Sequence, residues 1–345
     1  MTPRMPHIVR YRVLLLLAVV GAFGLARSGT AQILPSFGGD RAGTSGFQFL
    51  KIPVDPRGAA LGESAVSNSS DANALFWNPA MASLADGPTI ALSAARYFAD
   101  VRLQYAAVTY PFGGSGMTVG LNVLSMNSGS MNVTTEFEPF GTGETFELID
   151  LSAGLTIAQS LTDLFSYGVT AKYVRESVAG VSATAALFDL GVFYKVGTTG
   201  AQMGVAVRNF GPDATVGGEI SRTTIGTDPV VVESDFESIT PPTTFLLGAT
   251  YDILPAGSTN NLRVTAQLNN PNDNAENWNV GLEYVWSSSL MLRTGYRFGL
   301  EERVVPSLGI GLATNRLVGN LRIDYSFNTL TRLGAVHRVG LNIGL

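Results

Sequence analysis

Cysteine is absent from this chain of 345 residues, so neither a disulfide framework nor a thiolate metal site can form. That absence suits an oxidising compartment without requiring one. Histidine occurs twice, as His7 and His337, which leaves a histidine-dependent catalytic triad or a histidine-rich metal centre without its parts. Charge is scarce too: 14% of residues are charged, against about 25% in ordinary soluble proteins. Long apolar runs are missing as well. After the first 30 residues nothing approaches the ~18 apolar positions of a transmembrane helix. A chain of slightly positive mean hydropathy without helical spans must spread its apolar side chains. A membrane barrel does this.

What is present begins with an export signal. Arg4, Arg10 and Arg12 precede an apolar core over 13–26, and Gly29-Thr30-Ala31 supplies small residues before Gln32. The pattern predicts a signal peptide over 1–31, the alternative being an uncleaved anchor helix for which the core is short. These residues hold four arginines and no acid, so cleavage takes the formal charge from -5 to -9. Such a chain is a poor partner for nucleic acid.

From residue 89 onward, side chains alternate. Ile149, Leu151, Leu155 and Ile157 are separated by Asp150, Ser152, Gly154 and Thr156. Trp278, Val280, Leu282, Tyr284 and Trp286 are separated by Asn279, Gly281 and Glu283. Leu321, Ile323, Tyr325 and Phe327 are separated by Arg322, Asp324 and Ser326. A period of two marks strands with one oily and one wet face. Fourteen such segments are predicted, near 89–98, 101–111, 116–126, 147–157, 164–175, 185–196, 200–209, 242–252, 261–269, 277–286, 289–298, 304–313, 317–327 and 335–345. Most have the length of a tilted membrane-crossing strand. The first slips phase between Leu92 and Ala95, which suggests a bulge there.

Loop lengths add an independent argument. The long connections, 127–146, 211–241 and 270–276, are the third, seventh and ninth, while the even ones are mostly short. One rim of long loops and one of tight turns is the habit of an outer-membrane barrel. The fold expected is therefore all-β: a 14-stranded antiparallel transmembrane β-barrel over 89–345, in the outer membrane of a diderm bacterium. Tyrosines and tryptophans, Tyr105 among them, are candidates for interfacial girdles.

Residues 32–88 differ, being rich in Ala, Gly, Ser, Asn and Pro. Asp55-Pro56-Arg57-Gly58-Ala59-Ala60-Leu61-Gly62 reads as a turn leading into small-residue packing. Asp71-Ala72-Asn73-Ala74-Leu75-Phe76-Trp77 reads as a short helix capped by Asp71 and stopped by Asn78-Pro79. Phe49-Leu50-Lys51-Ile52, the Asp55–Val66 stretch and the run ending in Trp77-Asn78-Pro79-Ala80 together resemble the start of the PorV/PorQ family of outer-membrane proteins, close in fold to the FadL hydrophobic-compound transporters. Two departures are Met81, where Gly is usual after Asn-Pro-Ala, and the non-aromatic terminal Leu345. The resemblance implies that 32–88 folds into the barrel as a plug or hatch containing short helices, with Arg57, Gly58, Gly62, Asp71, Trp77, Asn78 and Pro79 as its motif. It also implies association with type IX secretion, as a translocon component or a shuttle for cargo bearing a sorting domain. The alternative is a FadL-like uptake channel for hydrophobic small molecules, with an apolar pocket beside the plug and a lateral opening at a strand kink.

The wet phase supplies a candidate lumen lining: Arg102, Asp150, Lys172, Arg208, Arg263, Glu283, Arg293, Arg297, Arg322 and Asp324, beside Asp189 and Asp252. Interleaved acids and bases can satisfy one another and anchor a plug, or form a polar path. The loop Asn270-Pro271-Asn272-Asp273-Asn274 lacks the Gly and terminal Glu of a calcium loop and reads as a solvated turn. Gly141-Thr142-Gly143 lacks the following Lys of a phosphate loop. The 211–241 loop is acidic, through Asp213, Glu219, Asp228, Glu233, Asp235 and Glu237 against Arg222. No nucleophile, acid and base come together, so the expectation is a non-enzymatic protein without cofactor, partnered by outer-membrane lipid.

Overall fold

The structure is a computed structural model that describes residues 41–222, 230–233, 236–254, 259–299, 305–314 and 319–345. The signal peptide expected over 1–31 and the start of the 32–88 segment lie outside the described residues, as do Asp228 and Asp235 of the acidic loop.

In chain order the strands are β1 (Thr89–Arg96), β2 (Arg102–Phe112), β3 (Met117–Asn127), β4 (Met131–Asn132), β5 (Thr145–Phe146), β6 (Leu148–Ser160), β7 (Phe165–Val178), β8 (Val181–Val196), β9 (Ala201–Phe210), β10 (Thr215–Arg222), β11 (Val230–Glu233), β12 (Thr244–Asp252), β13 (Asn261–Pro271), β14 (Asn277–Trp286), β15 (Leu290–Phe298), β16 (Ser307–Thr314), β17 (Asn320–Leu330) and β18 (Gly334–Gly344). Fourteen of them form a closed antiparallel barrel, completed by pairing of β18 with β1 and of β8 with β9. The short β4–β5 hairpin stands apart in a loop, while β10 and β11 extend the sheet from the upper end of β8. The fourteen-stranded fold read from the alternation is the fold observed.

The alternation works as physics requires. In β6, Ile149, Leu151, Leu155 and Ile157 face outward and are exposed, while Asp150, Ser152 and Thr156 face inward and are buried. The long connections, 128–147 and 211–243, open at one rim. The opposite rim carries short connections such as 113–116, 161–164 and 287–289. The long-loop rim, the upper end of the barrel, is the one that faces the cell exterior in outer-membrane barrels.

Two expectations fail. The phase slip at 92–95 is absent: burial alternates without a break along β1, and its register with both neighbours is continuous. Its inward positions Ala91, Ser93 and Ala95 are small residues whose polarity does not identify their side. Arg102, expected in the lumen, points outward and is exposed; the inward phase of β2 is Leu103, Tyr105, Ala107 and Thr109. Here the barrel wall meets an apolar core rather than water, so the inward face is the oily one. Tyr105 belongs to that core and not to a girdle.

That core comes from the N-terminal segment. Phe47, Phe49, Leu75, Phe76, Trp77 and Met81 are buried against Leu103, Tyr105, Leu124, Leu187 and Phe193 of the wall. Helix α1 (Pro56–Ala60) starts at a proline suited to a first turn and is capped by Asp55, whose carboxylate accepts from the Arg57 and Gly58 amides. Helix α2 (Ala74–Trp77) is shorter than the sequence suggests. Asp71 does not cap it; its carboxylate accepts from the Asn73 amide and pairs with Arg322. Asn78 ends α2 and caps a 3-10 turn at Pro79–Leu84, accepting from the Ala80 amide.

Candidate functional site

The lumen is occupied. Around the wall, inward-facing glycines make room for the N-terminal segment. A Cβ on Gly120 would strike Leu75, on Gly168 Pro79, on Gly191 Asn78, on Gly204 Val66, on Gly295 Leu61 and on Gly340 Pro56. These glycines sit on β3, β7, β8, β9, β15 and β18, so the close fit runs round most of the circumference. The segment supplies matching features. Gly58 lies against the Trp77 ring, and Gly62, at φ 65°, backs onto the Tyr296 backbone. The Trp77 Nε1–H donates to Asp55 at 3.1 Å. Asn78 reaches across to the wall, its amide donating to the Val66 and Val192 carbonyls at 2.9 and 3.1 Å.

Below this apolar layer runs a ladder of ions. Arg57 grips Glu283 in bidentate fashion, with both bonds at 2.9 Å. Glu283 also accepts from Arg293 at 2.6 Å, and Arg293 donates to Asp324 at 2.6 Å. Arg322 links Asp324, at 2.6 Å, to Asp71 of the plug, at 2.5 Å. Arg263 binds Asp252 at 2.6 Å and Asn68 at 2.8 Å, and higher up, at the upper cavity, Arg297 pairs with Glu63 at 2.6 Å. Burial alone would push the Asp71 carboxyl up. The Arg322 and Arg57 guanidiniums outweigh it and hold Asp71 below its ordinary value. Asp55 goes the other way: burial and then the neighbouring Asp71 carboxylate push it up.

At the upper end the segment is clasped by a loop. Lys51 pairs with Asp273 at 2.7 Å and Gln48 donates to the same carboxylate at 2.7 Å. Asp273 is buried, so 270–276 is a docking turn and not the solvated one its composition suggests. Arg338, also buried, donates to the Pro53 carbonyl at 2.7 Å. Neither anchor was singled out in the sequence. Arg338 was findable, because it shares the wet phase of β18 with Asn342. Of the candidate lining residues other than Arg102, Asp150, Lys172, Arg208, Glu283, Arg293 and Asp324 are buried. Arg263, Arg297 and Arg322 are partly buried by their side chains.

Two cavities flank the plug. The lower one, about 830 Å³, opens between Asp71, Arg322, Asn342 and the turn Ser287–Ser289. The upper one, about 430 Å³, has a mixed lining: Ile52, Trp77, Tyr97, Phe98 and Leu246 stand in it beside Lys51, Glu63, Arg208, Asn209, Gln267 and Arg297.

Arg208 and Asn209 mark the one irregular seam of the barrel among the described residues. Phe188 pairs with Phe210, but Leu190 pairs with Val207, so β9 has one residue more than β8 at this point. Asn209 absorbs the excess at φ 56°, and its amide donates to Asp189 at 2.7 Å. Lys172 pairs with Asp189 at 2.5 Å and donates to Asn209 at 3.1 Å. The Arg208 guanidinium lies 4.1 Å over the Phe76 ring and donates to the Leu50 carbonyl at 3.1 Å. Just above, β8 exchanges its partner, from β9 over 188–196 to β10 over 181–184. The upper cavity thus abuts the place where the wall changes partners. The sequence contained a sign of this seam: an Arg-Asn pair interrupts the alternation at the end of β9.

No protein-family profile matches the chain, and no curated relative matches it. Solved structures do. A monoaromatic hydrocarbon channel, CymD, superposes with a TM-score of 0.58 at 10% identity, over 85% of this chain and 97% of that one. The toluene transporter TodX of Pseudomonas putida gives 0.57 at 13% identity over 84% and 96%. The toluene transporter TbuX of Ralstonia pickettii gives 0.56 at 13% over the same shares. At such identities the likeness is one of fold: the closed 14-stranded antiparallel barrel of this chain is the architecture of these channels.

Proposed function

We propose that this protein is an outer-membrane channel admitting hydrophobic small molecules, and that it is not an enzyme. The observation that carries the proposal is the upper cavity. It lies above a plug that fills the lumen, brings Trp77, Tyr97, Phe98 and Leu246 together with charged and amide side chains, and abuts the β8–β9 seam. Aromatic and aliphatic walls in a concave site offer an apolar small molecule a place to lie, and the polar groups beside them orient it. The fold shared with hydrocarbon and toluene channels supports the same reading. Uptake of a labelled alkylbenzene by cells carrying the protein tests it. Leu246→Trp, which fills the cavity, is expected to lower the initial uptake rate at least fivefold while the barrel still assembles. Uptake equal to that of cells without the protein defeats the proposal.

A role in type IX secretion rests on the N-terminal resemblance alone, and no comparison supports it. Recovery of translocon subunits or sorting-domain cargo with the protein from native membranes would restore that reading.

A further inference from the structure

The outer surface of the barrel carries polar residues where lipid should lie. Arg96 pairs across the sheet with Arg102 on one side and with His337 on the other, and all three are exposed. They form one row on β18, β1 and β2 at the extracellular ends of these strands. Asp100 holds Arg96 at 2.8 Å in an exposed pair. His337 accepts or donates a hydrogen bond with the Tyr325 hydroxyl at 2.8 Å.

Directly beneath this row is a groove of about 620 Å³ in the lipid-facing wall. The outward positions one and two pairs below the cations are Ala94, Gln104 and Val339, then Leu92, Ala106 and Leu341. Ala94 and Ala106 are the floor, because alanine leaves a trough where neighbouring strands carry Val123, Ile323 and Leu341. A flat apolar band would suffice for bulk lipid. A trough under two neighbouring guanidiniums has the layout of an amphiphile with an anionic head.

We infer that this face binds a phosphorylated glycolipid of the outer leaflet, with phosphate on Arg96 and Arg102 and acyl chains along the Ala94–Ala106 groove. Guanidinium groups match phosphate geometry, each offering two parallel N–H donors to a pair of phosphate oxygens. Gln104, at the top of the groove, is placed to meet the sugar or amide linkage. The inference rests on the outer-membrane reading but not on what the channel carries.

The test uses the full-length protein in mild detergent, with bis-phosphorylated lipid A and its dephosphorylated form as probes in native mass spectrometry. The protein is expected to retain bis-phosphorylated lipid A at least tenfold more tightly than the dephosphorylated form. The double variant Arg96→Gln/Arg102→Gln should abolish that preference, and Ala106→Leu should weaken both probes. Alkylbenzene uptake by these variants should match the parent, which separates failure here from failure of the channel reading. Heat-dependent gel mobility confirms that each variant is a folded barrel. Equal retention of the two probes by the parent, or an unchanged preference in the folded double variant, overturns the inference.

Discussion

Single residues decide whether the plug can seat. Gly295 faces the Leu61–Gly62 backbone with no room for a side chain. Gly295→Val must displace the plug or the strand, an overpacking cost of about 1–3 kcal/mol. A lowered melting temperature in detergent and new protease cleavage within 41–88 are the expected signs. Arg293 is a different case. It is buried between Glu283 and Asp324, so removing its charge cuts the ladder in the middle, leaving Glu283 to Arg57 and Asp324 to Arg322. Arg293→Leu is expected to destabilise by about 1.5–3 kcal/mol, the range for losing charged hydrogen bonds whose partners keep another cation. Chemical unfolding in micelles measures it. Glu283, Arg293, Arg322 and Asp324 were legible as lining because β14, β15 and β17 alternate cleanly. Which acid binds which base was not, because the pairs join strands with sheet neighbours and plug residues more than 200 positions away.

At the scale of elements, the β8–β9 seam is the feature a period of two cannot describe. One additional residue in β9 is accommodated by Asn209 in the left-handed region, which asparagine tolerates better than most residues. Asn209→Gly keeps the left-handed turn but loses the hydrogen bond from the buried Lys172, a cost of about 1.5–3 kcal/mol. Asn209→Val should cost about 1–2 kcal/mol more and change alkylbenzene uptake, because the seam borders the upper cavity. Thermal melts and uptake on the same preparations check both. The sequence pointed instead to a kink in β1, where small inward residues imitate a slip of phase. Strand boundaries elsewhere were read to within a few residues, since the outward positions of most strands are apolar and the inward ones polar, which leaves a clear pattern. The short plug helices were read less well. Their ends are set by tertiary partners, as when Asp71 leaves the cap of α2 to bind Arg322.

For the molecule as a whole, the ionic ladder ties plug to wall in a pH-dependent way. Asp71 is held below the ordinary aspartate value of about 3.9. Its contribution is therefore fully present above that value and is lost only as the pH falls through its lower folded value. Protease accessibility of the plug should stay constant from neutral pH down to about 4 and rise below it. Asp71→Asn, which cannot carry the charge, should show higher accessibility throughout and a smaller rise. In planar bilayers the same variant should raise baseline conductance, because the Asp71–Arg322 contact lines the lower cavity.

The amino-acid sequence by itself determined the barrel: strand number, the side each residue faces in most strands, the rim bearing the long loops, and the segment that differs from the rest. Those properties are local, set by a period of two and by what lipid and water each accept. Tertiary structure alone decided how the lumen is used. It set the glycines against the plug, sorted the charges into a ladder, placed the seam at Asn209 and turned Arg102 outward. Each of these depends on distant segments meeting, and at β2 the meeting reversed the local rule, because the inward face there packs on the plug's core instead of water.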